Sequence, residues 1–160
     1  MENINNTIRI IPSLLLSNKR LVKGVNFKNH KDVGDPVGTC KSLNSQNSDE
    51  IVLCDLQSYI NKDNDMDYET LNDISKSVMT PITAGGGINT IDKAIKAFTN
   101  GADKIYLNSI LYSDKEIVRR ISDIYGAQSI MGGINIVKIK KKYRIYENND
   151  LDALTWFRFL

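Results

Sequence analysis

Apolar and polar stretches alternate along this chain, and the alternation predicts repeated strand–helix units. Ile8 to Leu16 is a nearly continuous apolar run, the pattern of a strand buried on both faces. The polar, glycine-containing stretch from Ser17 to about Asp35 reads as a loop. Pro36 suits the first turn of a helix, which the pattern carries to about Ser45. Glu50 to Asp55 predicts a second strand, with Ile51, Val52 and Leu53 between acids, and Gln57 to Met66 reads as a polar loop. Leu71, Ile74 and Val78 lie at helical spacing within Tyr68–Val78. Pro81 to Ala84 is strand three, Thr90 to Phe98 helix three and Asp103 to Leu107 strand four. Ser113-Asp-Lys-Glu116 has the form of a capping box, opening a helix with Ile117, Val118, Ile121 and Ile124 on its apolar face. Gln128 to Ile136 reads as strand five, Val137 to Tyr146 as a hairpin, and Leu151 to Leu160 as the start of a fifth helix. Repeated βα units predict an α/β fold, with parallel strands joined by helical crossovers.

The candidate chemistry lies in two turns. Pro81-Ile-Thr-Ala-Gly-Gly-Gly-Ile-Asn-Thr90 passes from strand to turn to helix start. Without Cβ atoms, Gly85, Gly86 and Gly87 let the backbone turn sharply and approach a ligand. The N–H groups and dipole of the following helix favour an anion such as phosphate. Asn100-Gly-Ala-Asp-Lys-Ile-Tyr-Leu-Asn-Ser109 ends a second strand in two small polar residues. The pair, one βα unit apart, points to phosphate binding at the C-terminal strand ends of a (β/α) barrel. Each feature also has a plainer reading. The glycines can serve only a tight βα turn, Asn108 and Ser109 can be an N-cap pair, and Asp55 can be a strand-end cap.

Composition narrows the alternatives. A chain of 160 residues is one domain, large enough to bury roughly 68–70% of its unfolded surface. Hydrophobic content of 41% and charge of 25% are ordinary for a globular protein. A net charge of +2 gives no case for nucleic acid, and the lysine run Lys138–Lys142 reads as a solvated hairpin. No apolar run reaches the roughly 18 residues of a membrane span, and Met1 to Arg9 lacks the apolar core of a signal peptide. Cys40 and Cys54 have no metal-type spacing, so a reduced cytoplasmic protein without cofactor or metal is expected. Cys54 reads as core rather than nucleophile. His30, the sole histidine, lies in the polar loop. That rules out a histidine-based zinc site, and a Ser-His triad unless His30 is its base.

Six segments carry a resemblance to a known family. They are Arg9-Ile-Ile-Pro-Ser-Leu-Leu-Leu16, Leu21-Val-Lys-Gly-Val-Asn-Phe27, Gly34-Asp-Pro-Val37, Asp49-Glu-Ile-Val-Leu-Cys-Asp55, Thr83-Ala-Gly-Gly-Gly-Ile88 and Gly101-Ala-Asp-Lys-Ile-Tyr-Leu-Asn-Ser109. In order and spacing they resemble the cyclase subunit of imidazole glycerol phosphate synthase. The resemblance runs from Arg9 to Tyr146 and weakens through Glu147 to Leu160.

It implies a (β/α)8 TIM-type barrel paired with a glutaminase as a heterodimer. Ammonia from the glutaminase would enter the barrel's bottom face, cross its core and meet a phosphorylated substrate at the C-terminal face. By position, Gly86, Gly87, Asn108 and Ser109 fall where the family binds phosphate. Arg9, Glu50 and Lys104 fall on the charged ring at the ammonia entrance, where both signs are needed for buried charges to satisfy one another. Asp103 falls where the family contacts its glutaminase, Lys23 in the mobile loop after strand one, and Asp55 at the end of strand two, at the mouth.

Departures from the family sharpen the expectation. Its cyclase chemistry uses two facing aspartates, whose positions here are Leu15 and Asn135. Paired carboxylates can divide acid and base roles; leucine can take neither, and Asn135 can only position a group. General acid–base work typically contributes about 10²–10⁴-fold, so little cyclisation by this mechanism is expected. Lys19 stands where the family usually has a turn glycine. Ile11-Pro-Ser-Leu-Leu-Leu16 resembles a divergent second-copy subgroup, which partners a glutaminase-like subunit in amidating sugars for surface polysaccharides. A family barrel needs about 250 residues, so the resemblance implies only the N-terminal portion, about five strands, of a truncated or frameshifted product. Its open edges would favour association, including a homodimer of half-barrels. Three readings stand: a sugar-amidating subunit, the histidine-pathway cyclase, or an inactive phosphate-binding remnant.

Overall fold

The computed structural model describes residues 8–25, 28–60, 64–140, 142–145 and 148–152. Five parallel strands form its centre: β1 (Ser13–Ser17), β4 (Ile51–Asp55), β5 (Ile82–Gly85), β6 (Lys104–Leu107) and β7 (Ile130–Gly132). They lie side by side in chain order, each joined to the next by a crossover that contains helix. The crossovers carry α1 (Pro36–Ser45), the short α2 (Leu56–Ile60), α3 (Tyr68–Ser75), α4 (Ile91–Thr99), the single turn α5 (Ile110–Ser113) and α6 (Lys115–Tyr125).

The stretch from Ser17 to Asp35 is not a loop. It folds as a hairpin of β2 (Arg20–Val25) and β3 (Lys28–Gly34), which extends the sheet antiparallel from β1 to seven strands. Asn18 and Lys19 form the two-residue turn between β1 and β2, with φ of 51° and 59°, and Ser17 pairs with Arg20. Two left-handed residues are what a tight hairpin turn of this hand demands. The same requirement explains why a glycine would suit position 19.

Ile8 to Pro12 is likewise no buried strand: Ile8 is 86% and Ile10 68% exposed. Pro12, which has no N–H to donate to a ladder, precedes the first residue of β1. Within the parallel strands, side chains alternate between the sheet's faces. Leu16, Ile51, Leu53, Ile82, Ala84, Ile105 and Leu107 pack with Cys40, Leu71, Ile74, Ala94, Ala97 and Ile121 into one core beneath the helices. Ser13, Leu15, Val52, Cys54, Tyr106 and Met131 face the other way.

Capping sets the helix starts. Asp35, Asp67 and Thr90 accept from Gly38 N, Thr70 N and Lys93 N. The expected capping box at Ser113 is displaced by one residue. Ser113 ends α5, and Asp114 caps α6 by accepting from Glu116 N and Ile117 N. Asp114→Ala is expected to cost about 1 kcal/mol, measured by urea unfolding; no loss would show that the cap is unimportant.

Strand five is shorter than expected. Ala127–Ser129 form a 3₁₀ turn and β7 ends at Gly132, leaving Asn135 in the segment beyond it. β8 (Ile136–Ile139) and β9 (Lys142–Ile145) then pair antiparallel, with β10 (Asn148–Asp152) beside β9. Leu151 and Asp152 therefore lie in a strand rather than a helix, and the remainder of the expected helix, 153–160, lies outside the described residues.

Candidate functional site

The expected ring residues meet at the N-terminal end of the parallel strands. Glu50, immediately before β4, is 1% exposed. Its Oε2 accepts from Arg9 Nη2 at 2.7 Å and from Lys104 Nζ at 2.9 Å. Its Oε1 accepts from the Thr83 hydroxyl, a partner the sequence reading missed. Thr83 and Lys104 are register partners on β5 and β6, which brings both groups to the same carboxylate. Burial alone would push the Glu50 carboxyl up, but the bonds from Thr83, Lys104 and Arg9 outweigh it and hold the group below its ordinary range. Asp103 lies at the same end and is exposed; its Oδ2 accepts from Ile82 N at 2.8 Å.

At the other end, the concave sheet face and the turns after the strands enclose a cleft of about 600 Å³. The sheet face supplies Ser13 and Val52 from one register layer and Leu15, Cys54, Tyr106 and Met131 from the next layer on that face. Tyr106 occupies room left by two glycines. A Cβ on Gly85 would lie 2.7 Å from Tyr106 Cβ, and one on Gly133 would overlap the phenol.

Gly86 and Gly87 turn at φ of 117° and 60°, and both line the cleft. A Cβ on Gly86 would overlap the Asp55 carbonyl oxygen, and one on Gly87 the Ser58 carbonyl oxygen. The glycine run is thus required by the packing of α2 against the turn, whatever the turn binds. Asn108 and Ser109 line the same cleft from the end of β6. Ser109 makes no side-chain cap bond, so these two do not act as a capping pair. Asn108 and Asn89 both line the cleft, and the Oδ1 atom of each is buried without a hydrogen-bond partner.

Leu15, in the middle of β1, and Asn135, in the segment between β7 and β8, line this one cleft. Neither can transfer a proton. Asp55 also borders it, but both of its oxygens are engaged: Oδ1 accepts from Gln57 N and Oδ2 from Asp67 N, each at 2.8 Å. The first of these is an Asx-turn bond, a strand-end role that Asp-x-Gln spacing makes readable. Burial pushes the Cys54 thiol up to about 11, with the Asp55 charge adding to it, so Cys54 is no thiolate nucleophile. Cys40 is pushed to about 11 in the same way.

Two expectations for the segment after strand one change. Lys23 is not in a loop but exposed on β2, paired with Lys31, and is not among the cleft residues. His30, assigned to the same loop, lies on β3 and lines the cleft. Tyr106 and Met131 were also missed as site residues, although alternation from Lys104 places Tyr106 on the inner face.

Residues 9–159 match the family model described as Histidine biosynthesis protein. The chain is 33% identical over 157 residues to imidazole glycerol phosphate synthase subunit HisF of Chlorobium phaeobacteroides, covering 95% of this chain and 62% of the relative. It is also similar to two proteins provisionally named imidazole glycerol phosphate synthase subunit hisF2. Identity is 38% over 131 residues with that of Pseudomonas aeruginosa, covering 81% and 51% of the two chains. With that of Campylobacter jejuni it is 32% over 143 residues, covering 89% and 57%. The chain thus spans between about half and three-fifths of these relatives' lengths.

Proposed function

Because the chain belongs to the histidine biosynthesis protein family, we propose that its parallel strands are the first five of a (β/α)8 barrel. On this reading the barrel pairs with a glutaminase and delivers ammonia to a phosphorylated or nucleotide-linked sugar in surface-polysaccharide synthesis. The observation that carries it is the chemistry of one cleft. Gly86, Gly87, Asn108 and Ser109 surround it, while Leu15 and Asn135 stand where two cyclising carboxylates would be needed. The similarity to the hisF2 proteins supports the same choice.

Ammonia would enter beside Arg9, Glu50 and Lys104, with Asp103 at the glutaminase contact. It would pass the inner face of the strands and reach the sugar seated above Tyr106. The glycine turn and Ser109 hold the substrate phosphate, and Asn108 and Asn135 position the sugar. No cofactor takes part. Cys40 and Cys54, both free thiols, suit a cytoplasmic protein. Among the described residues no helix is long and apolar enough to cross a membrane.

The deciding experiment co-purifies this chain with a candidate glutaminase and follows glutamine hydrolysis. The chain is expected to raise it, and an unchanged rate counts against the pairing. Ser109→Ala tests the phosphate site. It is expected to weaken binding of inorganic phosphate by roughly threefold to tenfold, the value of one neutral hydrogen bond. Stability should hardly change, because the hydroxyl makes no cap bond.

A second reading, the histidine-pathway cyclase, is favoured by 33% identity over 95% of the chain to a HisF subunit. Complementation of a cyclase-deficient strain separates the two. The natural chain is expected to fail, because neither Leu15 nor Asn135 can act as acid or base.

A further inference from the structure

We propose that the β2–β3 hairpin supplies the cationic arm of the cleft, with the His30 imidazole donating to the phosphate group of a ligand seated at the Gly86–Gly87 turn. This rests on the reading of that cleft as a phosphate site.

Three observations carry the assignment. First, the hairpin is a fixed part of the sheet. Leu15, Leu16 and Ser17 pair with Val22, Leu21 and Arg20, so main-chain bonds fix the hairpin beside Leu15, which lines the cleft. Second, His30 lies at a break in register. Lys23 pairs with Lys31 and Val25 with Lys28, which leaves Asn29 and His30 opposite Gly24 alone, with Asn29 left-handed at φ 52°. An extra residue of this kind re-aims a side chain out of the strand's alternation, and His30 lines the cleft. Third, none of the described residues lining the cleft is a lysine or arginine, so among them His30 is the one able to carry positive charge. A phosphate held only by backbone N–H groups and neutral side chains gains strongly from a charged donor.

The charged surroundings are mixed. On the hairpin, Lys23 and Lys31 are exposed, and Asp32 is paired with Arg20 at 2.8 Å. Across the cleft, the Asp55 carboxylate is held by two backbone N–H groups. A bound phosphate dianion would be the principal new charge facing the imidazole, and it would favour the protonated ring.

One histidine makes the test direct, because the full chain gives a single set of imidazole NMR signals. Their pH titration is followed without and with saturating inorganic phosphate, with chloride at matched ionic strength as control. Backbone amide signals of Gly87 and Ser109 report phosphate occupancy independently. The expected result is an upward shift of the imidazole midpoint by about half a pH unit or more. His30→Gln should also weaken phosphate binding by roughly tenfold while circular dichroism stays unchanged. If phosphate moves the Gly87 and Ser109 amides but leaves the imidazole curve in place, His30 is not a ligand and the phosphate reading survives. If chloride shifts the curve equally, the effect is screening and the assignment to His30 falls. If the amides do not respond to phosphate at all, both the site and the role of His30 fall.

Discussion

Lys104→Met is expected to destabilise the protein by about 3 kcal/mol at neutral pH, and by much less once the carboxylates are protonated. Glu50 is 1% exposed and shares Oε2 between Lys104 and Arg9. The Arg9 side chain is 52% exposed, whereas that of Lys104 is 31% exposed. Lys104 is therefore the better shielded counter-charge, and removing it leaves a buried carboxylate held by Thr83 and a half-solvated arginine. Breaking a buried pair from one side costs more than the pair contributes net, since the remaining charge stays desolvated.

The pH dependence follows from the same cluster. In the folded protein the Glu50 carboxyl lies below its ordinary range, because the three hydrogen bonds together outweigh burial. Its stabilisation is thus fully present above the ordinary carboxylate range and is lost as pH falls through the lowered folded value. In Lys104→Met burial meets fewer opposing bonds, so the variant's deficit should shrink as Glu50 takes up a proton. Urea unfolding at neutral pH and near pH 4 checks this. A deficit of equal size at both values would show that Lys104 acts through packing of its stem rather than through its charge.

Gly86→Ala is expected to be the most damaging of the three glycine substitutions, costing about 4 kcal/mol or more and in practice preventing cooperative folding. Two independent penalties meet there. The backbone has φ of 117°, outside what an L side chain readily adopts, and the new Cβ would overlap the Asp55 carbonyl oxygen, which belongs to rigid backbone. Gly87→Ala should follow. Its φ of 60° costs roughly 1–2 kcal/mol for an L residue, and its Cβ would meet the Ser58 carbonyl oxygen. Gly85→Ala should be mildest, because its φ is not left-handed and its closest contacts are less severe. They are Tyr106 Cβ at 2.7 Å and the Tyr106 carbonyl oxygen at 2.9 Å, although shifting them moves the paired β6 strand, an overpacking cost of about 3 kcal/mol. Thermal unfolding of the three variants gives the ranking, and a Gly86→Ala protein as stable as Gly85→Ala would contradict it. Loss of phosphate binding in Gly86→Ala would say little about direct contact, since the turn itself is lost; Ser109→Ala separates the two.

Periodicity and local chemistry suffice for most of the scaffold. Leu71 and Ile74 at helical spacing, Pro36 at a helix start, and the apolar Ile51–Leu53 run each correspond to an element in place. Where the reading failed, a neighbour overrode the local pattern. The apolar Ile8–Pro12 segment reads as strand but is exposed at Ile8 and Ile10. The polar Ser17–Asp35 segment reads as loop, yet it becomes two strands because β1 offers an open edge for antiparallel pairing. Its turn signal was present in Asn18, which tolerates the left-handed region, but Lys19 in place of glycine concealed it.

By itself the sequence determined the order of the five parallel strands and of the helices α1, α3, α4 and α6 between them, the glycine turn, and the absence of acid–base groups at positions 15 and 135. Those features depend on side-chain identity and on spacing within single elements. Only the tertiary structure decided which distant residues share a site. It placed Thr83 on Glu50, engaged both oxygens of Asp55 in backbone bonds, set Tyr106 against Gly85 and Gly133, and carried His30 from an apparent loop to the cleft. The physical reason is that register between strands, and a bulge within one, set which side chains meet, and a period along the chain carries no information about either.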